Sequence, residues 1–123
     1  MSADRGKRLQ RAAAAYLAAW WPHAESNPNG RTGADILGTP GVAWEIKTPR
    51  LFRPAEWARQ AARNAGPDLP VILYFPDGFG ARSAGDTLAI LPTSRLMAVL
   101  EEAGYAPGPV FIPRLEGLEE EAG

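Results

Sequence analysis

Residues 33–47 read Gly-Ala-Asp-Ile-Leu-Gly-Thr-Pro-Gly-Val-Ala-Trp-Glu-Ile-Lys: two short apolar runs on either side of a Gly-Thr-Pro-Gly turn. No other segment constrains the fold as tightly. Side chains alternate along a strand, so Glu45 and Lys47 share one face while Val42, Trp44 and Ile46 share the other. Ala34 and Ile36 likewise oppose Asp35. A three-residue loop, Thr39 to Gly41, with Gly41 in the left-handed position, pairs Gly38 with Val42. Asp35 then falls opposite Glu45 on the same face. A four-residue loop puts Asp35 beside Trp44, on the wrong side. Turn chemistry and charge placement agree on the first register.

Asp35, Glu45 and Lys47 thus form D-x9-E-x-K across a hairpin. Carboxylate oxygens suit a hard divalent cation. Such a cation activates water and neutralises charge gathering on phosphorus. Lysine adds a mobile point charge that can orient the water or steady the transition state. The chain has only two lysines, Lys7 and Lys47, against eleven arginines, which makes a lysine within a strand pattern conspicuous. The alternative is a half-buried hairpin whose polar face is merely solvated.

The length of 123 residues fits one domain with a single core. Without cysteine, the sequence excludes disulfides, thiolate zinc sites and thiol catalysis. His23 is the lone histidine, so multi-histidine metal sites are excluded too, and it reads as a strand-entry or surface residue. No stretch suits a membrane span and no signal-peptide pattern opens the chain, so the expectation is a cytoplasmic protein with no membrane partner.

The net charge of −1 conceals an uneven distribution. Residues 1–65 hold ten basic groups against five acids, whereas residues 101–123 hold one basic group against six acids. The basic portion contains the charged hairpin and is the expected nucleic-acid footprint, with Lys7, Arg8, Arg11, Arg31, Arg59 and Arg63 as its contacts. The acidic excess belongs to a Pro/Gly-rich extension over 105–123, expected to be solvated after about Leu115.

Periodicity predicts a helix over 4–20 with Leu9, Ala13, Tyr16, Leu17 and Trp20 on one stripe. A short strand around His23 to Ser26 and a turn at Asn27-Pro28-Asn29-Gly30 follow, then the hairpin at 33–38 and 42–48. Pro54 suits the first turn of a helix to Ala65 that buries Trp57, Ala58, Ala61, Ala62 and Ala65, with Gly66-Pro67 ending it. Val71 to Phe75 reads as a central strand, Pro76 to Gly85 as a Gly-rich loop, and Thr87 to Leu91 as a strand. Thr93 or Ser94 caps a helix through Ala103, and Val110 to Ile112 reads as one further strand. The order α-β-β-β-α-β-β-α gives an α/β domain over 1–104, a mixed sheet flanked by helices.

Over roughly residues 6–100 the chain resembles the PD-(D/E)XK nuclease superfamily. More narrowly, residues 33–47 followed by Glu56-Trp57-Ala58-Arg59-Gln60 and Arg63-Asn64-Ala65-Gly66 look like the small Holliday-junction resolvase-like nucleases of actinobacterial phages. The resemblance implies a restriction-endonuclease-like core and magnesium- or manganese-dependent cleavage of DNA. It implies Asp35, Glu45 and the Ile46 carbonyl as metal ligands, with Lys47 assisting the attacking water. Gln60 occupies the place of a supporting polar residue on the next helix; alternatively it is an exposed helix glutamine. Departures are Gln10 where many relatives carry a first-helix glutamate, and Tyr74-Phe75-Pro76-Asp77 where phage relatives are basic, with Arg82 as a potential substitute. Three functions are weighed: a homodimeric endonuclease on branched DNA, a non-catalytic DNA-binding or assembly protein of the same fold, and a monomeric nuclease on duplex ends or single strands.

Overall fold

The computed structural model describes residues 2–28 and 33–107. Arg31, the proposed strand at Val110 to Ile112 and the acidic tail lie outside the described residues. The described chain is α/β. Its elements are helix α1 (Ser2–Leu17), strands β1 (Glu25–Ser26), β2 (Ile36–Leu37) and β3 (Val42–Lys47), helix α2 (Pro54–Ala65), strands β4 (Leu69–Tyr74) and β5 (Leu88–Ile90), and helix α3 (Thr93–Glu102). This is the element order expected from the sequence.

Strands β3, β4 and β5 form a mixed sheet with β4 in the centre. β3 and β4 run parallel, with Glu45 beside Ile72 and Lys47 beside Tyr74. Parallel neighbours need a crossover, and α2 supplies it. β5 closes the other side of β4 antiparallel. The central strand is the most apolar segment because both its faces are covered: Val71, Ile72 and the following Phe75 are buried.

The two faces of β3 receive different helices. Leu9, Ala13, Ala14 and Leu17 of α1 join Ile36 and Phe75 in a core cluster against which Trp44, Ile46 and Leu73 pack. The alternate residues, Glu45 and Lys47, face α2. In α2, Ala61 and Ala65 are buried, Trp57 and Ala58 half-buried, and Ala62 exposed. Ala62 lies about 100° round the helix from Ala61, which takes it off the buried stripe. Gly66, at φ 57°, ends the helix.

The α1 stripe is narrower than its periodicity suggests. The helix stops at Leu17, so Trp20 no longer sits on its buried face and is 62% exposed. Its ring instead packs on Tyr16, centroids 5.2 Å apart, at the margin of the stripe. The expected loop over 76–85 contains a 3-10 turn, Ala81–Asp86. Ser83 and Thr87 stabilise it locally, with Gly80 N–H donating to Ser83 Oγ and Thr87 Oγ1 donating to the Ala84 carbonyl.

The hairpin is also built differently. β2 pairs with β1 in its own antiparallel ladder, with Ser26 opposite Ile36, rather than with β3. Gly38 does not pair with Val42. Val42 N–H donates instead to the Thr39 carbonyl across Pro40-Gly41, and Gly41 has φ 89°. Proline followed by positive-φ glycine is the type II turn arrangement. Thr39, buried, locks it by donating its hydroxyl to the Val42 carbonyl at 2.9 Å.

Gly38 is indispensable for a different reason. At φ 82°, a Cβ there would collide with the His23 carbonyl oxygen, which is backbone and cannot swing aside. Gly38→Ala should therefore destabilise the protein by about 2 kcal/mol or more, read as a lower urea midpoint. An unchanged midpoint would show that the β1–β2 ladder contributes nothing to global stability.

By its contacts the chain divides after Pro92, and α3 belongs to the second unit, which begins at Thr93. No residue of α3 is buried.

Candidate active site

Glu45 and Lys47 are two residues apart on β3, and Gln60 and Asn64 are four apart on α2. Two strand steps advance about 6.6 Å and four helix steps about 6 Å, so the pairs match when strand and helix run oppositely. They do. Asn64 Nδ2 donates to Glu45 Oε1 at 3.0 Å, and Lys47 Nζ donates to Gln60 Oε1 at 3.1 Å. The Lys47 ammonium also lies 5.8 Å from the centre of the Trp57 ring. Trp57, Phe52 and Tyr74 pack together with centroids 5.1–5.9 Å apart, making a fixed aromatic wall beside the lysine.

Asp35 approaches from the free edge of β3. Its N–H donates to the Trp44 carbonyl at 2.9 Å, and its Oδ2 accepts from Ile46 N–H at 2.8 Å. These two bonds bracket Glu45, so the level expected from the turn holds, but a carboxylate oxygen replaces the backbone carbonyl of a regular ladder. N–H and C=O of one strand residue point to the same side, so the Ile46 carbonyl also faces the edge that carries Asp35. Behind it, the Asp35 carbonyl accepts from Asn27 N–H at 2.8 Å and Gln10 Nε2 at 2.7 Å. Gln10 also reaches the Asn27 carbonyl, and Asn27 Nδ2 holds the Ala34 carbonyl at 2.8 Å.

The surroundings of Glu45 act strongly on its carboxyl group. Glu45 is 5% exposed. Burial, above all, raises its pKa from 4.5 to about 7; the Asp35 carboxylate adds to the rise by charge and by hydrogen bonding, while Asn64 and Lys47 oppose it. The site is thus two adjoining carboxyl groups and a backbone carbonyl, with an ammonium held to one side. Among the described residues no cluster of three or more His, Cys, Asp or Glu side chains could hold a metal. The all-oxygen donor set nevertheless suits magnesium, which keeps several of its own waters and needs only one or two carboxylates.

The structure brings together Asp35, Glu45, Ile46, Lys47 and Gln60. It does not gather the basic residues in the same way. Arg59 and Arg63 are exposed on α2, each one residue before a side chain that reaches the site. Lys7, Arg8 and Arg11 are exposed on α1, which packs on the opposite face of β3. Sequence reasoning missed Asn64 and the anchoring of the Asp35 backbone by Asn27 and Gln10. The four-residue spacing of Gln60 and Asn64 could have revealed the first; nothing local marks Asn27.

No family model, curated protein or solved structure matches this chain. Among the described residues, no helix is long and apolar enough to cross a membrane.

Proposed function

We propose that the chain is a metal-dependent DNA endonuclease with a restriction-endonuclease-like core of the PD-(D/E)XK type, acting as a homodimer on branched DNA. One observation carries the reading: two carboxyl groups held against each other in a largely buried site, with no basic side chain among the described residues in an ion pair with either. Left alone this arrangement is unfavourable, since one group must be kept protonated or pay for repulsion and desolvation. A divalent ion removes that cost. Asp35, Glu45 and the Ile46 carbonyl would hold it, and it would supply activated water and charge neutralisation at the phosphate.

The remaining roles belong to the chain. Lys47 is oriented by Gln60 and confined by Trp57, so its ammonium is positioned to hold the attacking water or meet charge on the phosphate. Asn64 fixes the rotamer of Glu45. Gln10 and Asn27 fix the backbone of Asp35. Lys47→Arg should fail to restore the turnover lost in Lys47→Ala, because a planar guanidinium cannot reproduce a point charge. Full activity in Lys47→Arg would reduce the role of Lys47 to bulk charge.

A second reading, a non-catalytic DNA-binding protein of the same fold, is favoured by Gln10. It donates to the Asp35 backbone where a carboxylate could have served as a further metal ligand. Cleavage of four-way junction, flap and linear DNA, with and without magnesium, by wild type and Glu45→Ala decides between the two. Symmetric nicking of the junction by a species of dimer mass supports the proposal. Magnesium-independent binding without cleavage supports the second reading, and cutting of linear ends by a monomer supports a nuclease of a different substrate class.

A further inference from the structure

Past the end of β3 the surface opens into two cavities that share Arg5. The larger, about 510 Å³, lies between the N-terminal half of α1 and the loop after β4, lined by Arg5, Arg8, Leu9, Ala12, Phe79 and Gly80 among others. The smaller, about 260 Å³, is bounded by Arg5, Thr48, Pro49, Arg50 and Asp77. The smaller cavity includes Thr48, the first residue past the end of β3, and the larger one is reached from it through Arg5, which lines both. Thr48 to Arg50 and Asp77 to Gly80 both follow the carboxyl ends of the parallel strands β3 and β4. Open sheets with parallel strands bind ligands at that end.

The lining has a definite chemistry. Among the described residues the one ion pair joins Arg53 to Glu56, so Arg5, Arg8 and Arg50 keep their guanidinium groups free of carboxylate partners. Asp77 is the single acid against these three arginines. Leu9, Ala12 and Phe79 give the larger cavity an apolar wall. Guanidinium groups beside an apolar, partly aromatic wall suit a nucleotide: phosphate on the arginines, base against the wall. A cavity of a few hundred Å³ is the size of a small-molecule site, too small to admit a duplex.

We infer that this pair of cavities, past the end of the strand that carries Glu45 and Lys47, holds an unpaired nucleotide of the substrate strand. Arg5, Arg8 and Arg50 take its flanking phosphates, and Phe79 and Ala12 take its base. The inference rests on the proposed endonuclease function for the identity of that strand as substrate. It then narrows the substrate to DNA with an unpaired nucleotide, such as a flap or an opened branch, over continuous duplex.

The test is binding in chelator, which removes catalysis from the readout. The probes are a ten-nucleotide oligothymidylate carrying one 2-aminopurine and a duplex of the same sequence. The single strand should bind at least tenfold more tightly than the duplex and change its 2-aminopurine fluorescence. Ala12→Leu, which fills the larger cavity, should weaken single-strand binding about tenfold and leave duplex binding alone. Arg5→Gln and Arg50→Gln, which do not alter the core, should each lower the salt slope of log K by about one. Equal affinity for both probes without a fluorescence change would overturn the inference, as would unchanged single-strand affinity and salt slope in both Arg5→Gln and Arg50→Gln. Failure of the two readings is separable. Single-strand binding that follows these variants, in a protein that never cleaves, removes the endonuclease reading and keeps the nucleotide site. Magnesium-dependent cutting of continuous duplex that is indifferent to them does the reverse.

Discussion

Glu45→Gln is expected to abolish cleavage while making the metal-free protein harder to unfold. Glu45 is 5% exposed and its carboxyl group adjoins Asp35, so the ionised form is held at a cost that a neutral amide of the same shape avoids. The amide oxygen can still accept from Asn64, whose bond to Glu45 Oε1 is 3.0 Å. At pH 8 the gain should be on the order of 1–3 kcal/mol, or several degrees in the thermal midpoint. Cleavage should fall by about two orders of magnitude or more, because metal-ligand contributions are worth several kcal/mol at the transition state. Stabilisation of the wild type by magnesium should vanish in the variant. Thermal melts with and without magnesium, beside a cleavage assay, check all three. A variant less stable than wild type at pH 8 would mean that the Glu45 charge is compensated by something other than a cation.

Metal-free wild type should lose stability as the pH rises from about 5 to about 8, opposite to the usual behaviour of paired carboxylates. The sign follows from the direction of the shift. The Glu45 carboxyl is raised from 4.5 to about 7 on folding, so between these values the folded state binds more protons than the unfolded chain. The stabilisation is fully present below 4.5 and is lost as the pH passes through about 7. Its ceiling is the difference of about 2.5 units, or roughly 3 kcal/mol at 1.36 kcal/mol per unit. Denaturant titrations across this range, subtracted from the same series on Glu45→Gln, isolate the contribution of this one group. Saturating magnesium should flatten the curve, since a bound cation favours the ionised carboxylate. A difference curve without slope would show that Glu45 titrates normally.

Much of the local structure was legible because its physics is local. Pro54 and Gly66 bound α2, the unbroken apolar run through Val71–Phe75 marks the central strand, and alternation places Glu45 and Lys47 together against Trp44 and Ile46. Asp35 does sit level with Glu45, but through its bonds to Trp44 and Ile46 and not through the Gly38–Val42 pairing expected of the turn. What alternation could not supply was the partner of β2. A two-residue strand has too few side chains to specify its neighbour, and the backbone of Glu25–Ser26, brought back after α1, takes the ladder that a simple hairpin would have formed with β3. That substitution frees the edge of β3. The Asp35 carboxylate, rather than a peptide carbonyl, then accepts from Ile46 N–H.

The residue types and spacing, D-x9-E-x-K with a following amphipathic helix, are therefore properties of the sequence itself, as is the concentration of basic groups in its first half. They decide which groups can reach one face and what donors they offer. Tertiary structure decided the rest. It buried Glu45, set Asn64 and Gln60 against the two motif residues, and tied the Asp35 backbone to Gln10, which is 25 positions away. It also placed α1 and its cations on the opposite face of β3 from Glu45 and Lys47, and lined the cavities beyond β3 with Arg5 and Arg50. The reason is one of range. Turn and strand preferences act over a few residues, whereas desolvation and the meeting of charged groups depend on which distant segments pack together.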